Sequence, residues 1–390
     1  MSVTINKPIS KLKELFLTVC LLSGEISQET IRKMKEDYGE TAIKNNVIQS
    51  LKNGGYIKRY KRKDVGYGYQ LTPKGLEYMK TKLPDRYDYN CYSDSKARKY
   101  DDNVRFRNLT LSYILYYLAR SGVDLTNHED DMRSIFSFQA VEVEKPFFVT
   151  VKQMRKLHLR FRMIYGYRVY GWIITRDAFW AVYLHDSEHP ICLSREESFH
   201  VAMGAVREHM QPPYSANQNY RFLYLYRNES EYIKSFNGFK GYDTKTKFTV
   251  SMYQEYRLKK SAACIMSKSC NELLSILDDD VVYRINQVFF DEYELTHAPM
   301  DRDYRWFSYL YEGTYRTAIC PDLSPTTIVE ALLIFRPFSE DDVVLLCFDD
   351  SFELLQTFFR RRRLEDRIHL AWLSRKDVMQ YISDYESQTE

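Results

Sequence analysis

The sequence predicts an α+β module at the amino end, followed by an α/β region with a mixed sheet and flanking helices. Three observations predict it. Apolar residues recur at helical spacing through the first fifty positions. Two short strand-like runs, Tyr56–Tyr60 and Tyr67–Leu71, flank a polar tip. Beyond Gly122, apolar strand-like runs alternate with helical segments that carry their own caps.

Leu12, Leu15, Phe16, Val19 and Leu22 give an amphipathic first helix that stops at Ser23-Gly24. Ser27 can cap a second helix carrying Ile31 and Met34. After the turn at Tyr38-Gly39, Ile43, Val47, Ile48 and Leu51 form the apolar stripe of a third helix. Its other face carries Lys44, Asn45, Gln49 and Lys52. Asn53-Gly54-Gly55 ends it, with glycine supplying a left-handed cap. The two strands follow, joined by Lys61-Arg62-Lys63-Asp64, and Thr72 or Pro73 opens a fourth helix through Gly75, Leu76 and Met79. Three helices, a basic-tipped hairpin and a closing helix make a winged helix-turn-helix over residues 1–82.

Residues 83–108 are dense in Tyr, Asp, Arg and Ser without apolar periodicity, and predict a linker. A helix follows over about 108–120, on Leu109, Leu111, Ile114, Leu115 and Leu118. Tyr167–Thr175 and Phe179–Leu184 predict a hairpin around Arg176-Asp177, and Ser194…Glu197 is a capping box opening a helix to about Met210. Then a strand, a polar turn and a helix recur. The unit reads Phe222–Tyr226 with Ser230–Phe236, and Ala262–Met266 with Cys270–Leu277. It reads again in Val343–Phe348 with Phe352–Phe359, and in Ile368–Leu373 with Lys376–Ile382. Ser269, Asp350 and Ser374 are the expected caps. A run such as VVLLCF implies a strand covered on both faces. Residues 109–240 form one α/β domain on this reading. Residues 241–390 are a second, or continue the same sheet. The pairs near 222 and 343 leave an internal duplication open.

A chain of 390 residues, 44% hydrophobic and 15% aromatic, can bury a large core and suits two or three domains. Its net charge of +3 hides an asymmetry. Residues 1–90 hold 17 Lys/Arg and 10 Asp/Glu, a net of +7, so the polyanion-binding end is expected there. The rest carries a net of −4. No run approaches the length of a membrane span, and Met1–Lys11 lacks an apolar signal core, so no membrane partner is expected. Seven scattered cysteines without a CxxC predict reduced thiols in a cytoplasmic protein. No glycine-rich phosphate loop occurs, and no cofactor is expected.

DNA binding is the reading these residues favour. A helix fits the major groove, where Asn45 and Gln49 can pair two-pronged with adenine and Lys44 can donate to guanine. Lys52, Lys58, Arg59, Lys61, Arg62 and Lys63 lie where cations meet phosphates or the minor groove. A metal-dependent nuclease is the alternative, through Asp130-Asp131 with Glu142, Glu144 and Lys145. On a strand, however, Lys145 would face away from Glu144. Pro321-Asp322 with Glu330 is a second partial match lacking its lysine. His185, Asp186, Glu188, His189 and Cys192 are zinc-ligand types in what reads as a polar loop. The run Arg360-Arg361-Arg362-Arg363 complements a helix carboxyl end. Tyr220–Tyr226 alternates as sheet core rather than as a base-stacking platform.

The segment Gly54–Gly75 (GGYIKRYKRKDVGYGYQLTPKG) resembles the wing and its exit in winged-helix DNA-binding proteins. With Arg168–Tyr183 and Tyr283–Tyr304, the layout is similar to the replication-relaxation family of plasmids and integrative conjugative elements. The resemblance implies a winged helix joined to a divergent restriction-endonuclease-like domain, and a role in plasmid or mobile-element replication, DNA relaxation or transfer. The acidic pattern of a nuclease core is not kept cleanly here. The expectation is therefore a sequence-specific binder of double-stranded DNA, as a homodimer on repeated half-sites, with its α/β region open to a protein partner. A nuclease or nickase, and a ligand- or partner-responsive transcriptional regulator, stand as alternatives.

Overall fold

The computed structural model describes residues 10–62, 66–91, 102–127, 129–130, 132, 143–156, 168–176, 178–185, 220–236, 261–268, 272–299, 306–334 and 342–389. The chain is α+β, with antiparallel and mixed sheets, and divides into two compact units. One comprises residues 1–161 and 170–174, the other residues 162–169 and 175–390.

In the first unit, α1 (Lys11–Ser23) ends at Gly24, whose φ of 82° lets its N–H reach back to the Cys20 carbonyl. The strand β1 (Ile26–Ser27) leads into α2 (Gln28–Tyr38), capped where Ser27 Oγ accepts from the Thr30 N–H. Gly39, at φ 89°, breaks the chain before α3. That helix is π-helical over Ala42–Gln49 and α-helical over Ser50–Asn53, a departure from the regular helix its spacing predicts. Its terminal left-handed residue is Gly55, at φ 74°, while Gly54 stays right-handed.

The strands β2 (Ile57–Arg62) and β3 (Gly66–Leu71) pair antiparallel from Ile57–Leu71 to Arg62–Gly66, and β1 adds to the other side of β3. Thr72 caps α4 (Pro73–Lys82), and its hydroxyl also donates to the Gly55 carbonyl at 2.5 Å. A Cβ on Gly75 would lie 2.2 Å from the Tyr56 carbonyl oxygen, so only glycine fits there.

Residues 83–108 do not form the expected linker throughout. The short α5 (Tyr87–Asn90) lies within them, and α6 (Asp102–Arg120) starts ahead of its expected position near 108. Residues 110–118 are buried without interruption, so this stretch of α6 is enclosed on all sides rather than amphipathic. Ser112 Oγ receives the Ser27 N–H at 3.0 Å and meets Thr30 Oγ1 at 2.8 Å, and Tyr116 donates to Asp37 Oδ2 at 2.6 Å. Burial, then the bonded Asp37 carboxylate, pushes the Tyr116 phenol above its ordinary pKa. Elements of the first 82 residues thus pack against α6, and both belong to the first unit.

The unit continues with β4 (Phe147–Thr150), α7 (Val151–Lys156) and β5 (Gly171–Ile174), which pairs antiparallel with β4. Asn90 accepts from Gln153 Nε2 at 2.9 Å, and Lys156 Nζ donates to the carbonyls of Asp88, Tyr89 and Cys91, closing the end of α5.

In the second unit, β6 (Phe179–Leu184), β7 (Tyr220–Tyr226) and β8 (Ser261–Ile265) run parallel in that order. The helix α8 (Glu229–Ser235) follows β7, and α9 (Glu272–Leu277) and α10 (Asp279–Glu292) follow β8. A mixed sheet comprises β9 (Thr296–His297), β10 (Tyr309–Tyr311), β11 (Tyr315–Ile319), β12 (Val343–Phe348) and β13 (Ile368–Leu373). β9, β10 and β11 pair antiparallel in sequence, whereas β11, β12 and β13 are parallel.

Between β11 and β12 lies α11 (Pro325–Ile334). The helix α12 (Asp349–Arg360) follows β12, and α13 (Arg375–Thr389) follows β13. Phe222, Tyr224 and Tyr226 are buried, the last in a chain of ring contacts through Tyr232 and Phe236 to Phe358 of α12. They are sheet core. The Ser374 cap is present, but α12 has no side-chain cap: Asp350 lies inside its first turn. Ser269 and the segment Ser194–Met210 lie outside the described residues.

Candidate nucleic-acid interface

Burial of Ile43, Val47, Ile48 and Leu51 turns the opposite side of α3 outward. Lys44, Asn45, Gln49 and Lys52 are all exposed there. Gln49 lies one wide helical turn beyond Lys44 and Asn45, and its Nε2 donates to Asn53 Oδ1 at 2.8 Å. That bond uses one amide donor of Gln49, whose amide also carries a second donor and an acceptor oxygen. Asn46 is exposed on the same arc, a position the spacing argument passed over because it assumed a regular helix.

On the hairpin, Lys58, Arg59 and Lys61 are exposed, opposite Gln70, Tyr69 and Tyr67 respectively. The Arg59 guanidinium lies 3.8 Å from the centre of the Tyr67 ring, a cation–π contact that restricts its side chain while leaving N–H groups free to donate. The Arg62 backbone pairs with Gly66, and Lys63 lies outside the described residues. Lys74, at the start of α4, extends the set: its Nζ is 5.0 Å from the Tyr56 ring centre, beside Gly55 at the end of α3. Its position in the TPKG exit was visible in the sequence, but its apposition to α3 is a tertiary fact.

Ion pairing separates these cations from their neighbours. On α2, Lys33 meets Asp37 at 3.3 Å, Lys35 meets Glu40 at 3.0 Å, and Arg32 approaches Glu36. Lys44, Lys52, Lys58, Arg59, Lys61 and Lys74 make no ion pair among the described residues. No carboxylate among the described residues lies within ion-pair distance of them. Such a surface can neutralise phosphates, and its amides can meet base edges.

The hairpin carrying half of these cations is fixed from beneath. Glu25, beside β1, and Arg105 of α6 are 2% and 3% exposed, and form a two-pronged pair at 2.6 and 2.9 Å. Gln70 Nε2 donates to Glu25 Oε2 at 3.3 Å, and the Arg105 guanidinium lies 4.9 Å from the Tyr60 ring centre. Gly68 allows the approach, since a Cβ there would lie 2.3 Å from Glu25 Oε1. Arg105 was read as linker. Its partner is eighty positions upstream, and no local pattern marks it.

The residues of the nuclease alternative are not assembled among the described residues. Glu144 and Lys145 are exposed in a bend before β4, not on a strand, and Glu142 and Asp131 lie outside the described residues. Glu330 is buried and accepts the Trp306 N–H, a structural task. A different set of carboxylates meets in the second unit. Glu229, Asp349, Asp350 and Glu353 line a cleft of about 420 Å³ beyond the carboxyl ends of β7 and β12. Lys268 engages Glu229 at 2.9 Å, and Arg375 engages Asp350 at 2.5 Å. Burial acts to raise the Asp350 carboxyl, but Arg375 holds it below its ordinary value. Glu229 and Asp350 are thus held in ion pairs, and Asp349 Oδ1 accepts the Arg375 N–H at 3.0 Å. No group of three or more metal-ligand side chains is placed to hold an ion among the described residues.

His185 is buried and stacks on Tyr226 at 5.3 Å, while the remaining zinc-type residues, Asp186 to Cys192, lie outside the described residues. Arg362 lies 4.1 Å from the Phe358 ring centre and donates to the Phe236 carbonyl at 2.6 Å, so that member of the arginine run packs internally. No helix among the described residues is long and apolar enough to cross a membrane. Comparison with family models, with curated proteins and with solved structures finds no match to this chain.

Proposed function

We propose that residues 10–82 are a winged helix-turn-helix that binds double-stranded DNA, with α3 in the major groove and the β2–β3 hairpin on the flanking backbone or minor groove. What supports the reading is a cluster of exposed cations. Six exposed Lys and Arg side chains without ion pairs among the described residues occupy α3, the hairpin and the start of α4. Asn45 and Gln49 sit among them to read bases. A single module covers little DNA, so two copies on repeated half-sites are the proposed binding form. The resemblance of Gly54–Gly75 to plasmid and integrative-element proteins suggests replication or transfer DNA as the target setting.

Salt titration tests the reading. If the six cations neutralise about six phosphates, log K against log salt for a duplex falls with a slope of about −5. Fluorescence anisotropy across a salt series measures it. A slope near zero, or no binding to any duplex at low salt, would refute DNA binding.

A further inference from the structure

The helices α10 and α13 pack side by side on one face of the mixed sheet. Ile285, Phe289, Val378 and Ile382 meet Val344, Leu346 and Phe348 there. Between the carboxyl half of α10 and the junction of β13 with α13, where Leu373 and Ser374 line it, lies a groove of about 490 Å³. Val288 and Val378 contribute apolar floor, Tyr381 stands as a wall at 61% exposure, and Asp291, Glu292 and Asp377 supply the charge.

Two further exposed tyrosines, Tyr283 and Tyr385, lie on the same helix pair outside the groove lining, Tyr385 with the Arg284 guanidinium 5.7 Å from its ring centre. The acidic residues at the head of α10 are neutralised, Asp279 by Arg221 at 2.6 Å and Asp280 by Arg176 at 2.8 Å. Asp291, Glu292 and Asp377 have no ion pair among the described residues, and no cation lines the groove. Asp291 holds only an amide, Gln287 Nε2, at 2.8 Å.

We infer that this groove docks a basic peptide segment of a partner protein. The charge fixes the sign of the occupant: three carboxylates repel nucleic acid and favour lysine or arginine. The apolar floor requires more than charge, namely an aliphatic or aromatic side chain seated between the helices and flanked by those cations. An exposed tyrosine, Tyr381, beside the apolar Val288, Leu373 and Val378 has the composition of an interface centre, where aromatic side chains carry much of the binding energy. The docking site is independent of the DNA-binding reading. It would let the second unit recruit a basic protein whatever the first unit holds.

The test uses the full chain and a fluorescein-labelled peptide, Lys-Arg-Leu-Lys-Arg-Phe-Lys-Arg, followed by anisotropy. Saturable binding is expected, weakened about tenfold or more by Asp291→Lys or Asp377→Lys, and similarly when alanine replaces the Leu and Phe of the peptide. Tyr381→Ala, at a side chain already in solvent, should weaken the peptide while leaving the melting temperature unchanged. Three results would overturn the proposal: no saturation, equal binding of the alanine peptide, or wild-type affinity in the aspartate variants. So would sedimentation showing that the same substitutions abolish self-association without affecting the peptide, which assigns the face to a second copy of this chain.

Discussion

Reversing charge on the hairpin, with Lys58→Glu, Arg59→Glu and Lys61→Glu together, should weaken duplex DNA binding by at least about tenfold and flatten the salt slope by about three. All three side chains are exposed and make no ion pair among the described residues, so the one internal contact their replacement breaks among those described is the Arg59 stacking on Tyr67, at the surface of the hairpin. The fold should therefore survive, and circular dichroism of the variant should match the parent. The effect exceeds simple loss of attraction, because each glutamate also repels a phosphate. Anisotropy at two salt concentrations reads both quantities. Unchanged affinity would remove the hairpin from the interface and leave α3 to act without a wing.

The second large effect concerns stability. Arg105→Met should lower the unfolding free energy of the first unit by about 3–5 kcal/mol, because it leaves the Glu25 carboxylate buried without its cation. Removing both charges, with Glu25→Leu added, should cost clearly less than the sum of the two single changes, since no uncompensated charge then remains. Urea unfolding of the three variants measures the coupling. Additive losses would mean that the pair contributes only packing. The hairpin stands on this pair through Gln70, Gly68 and Tyr60, so the single variants should also bind DNA more weakly.

The amino-terminal elements were legible because their determinants are local. Ser27 caps within three residues, Gly24, Gly39 and Gly55 adopt positive φ where helices must end, and Thr72 with Pro73 opens α4. The strand–helix units of the second half were legible for the same reason. Runs such as Val343–Phe348 have no polar position to misread.

Residues 83–108 were not legible. The polar start of α6 reads as loop until Arg105 finds Glu25, eighty positions away. The π-helical turn of α3 leaves no mark in apolar spacing, so Asn46 went unnoticed. Asp350 resembled a cap by position, yet its role is set by Arg375, two elements later. Of the candidate interface, residue identities were readable. Which cations lack an ion pair among the described residues was not, because that depends on where carboxylates such as Asp37 and Glu40 fall.

Hydrogen exchange of the full chain with and without duplex DNA tests the central claim most directly. Protection is predicted in α3 and along β2 and β3, the elements bearing Lys44, Asn45, Gln49, Lys58, Arg59 and Lys61, with α2 and the second unit unaltered. Protection confined to the second unit, with α3 and the hairpin exchanging as in the free protein, would contradict it.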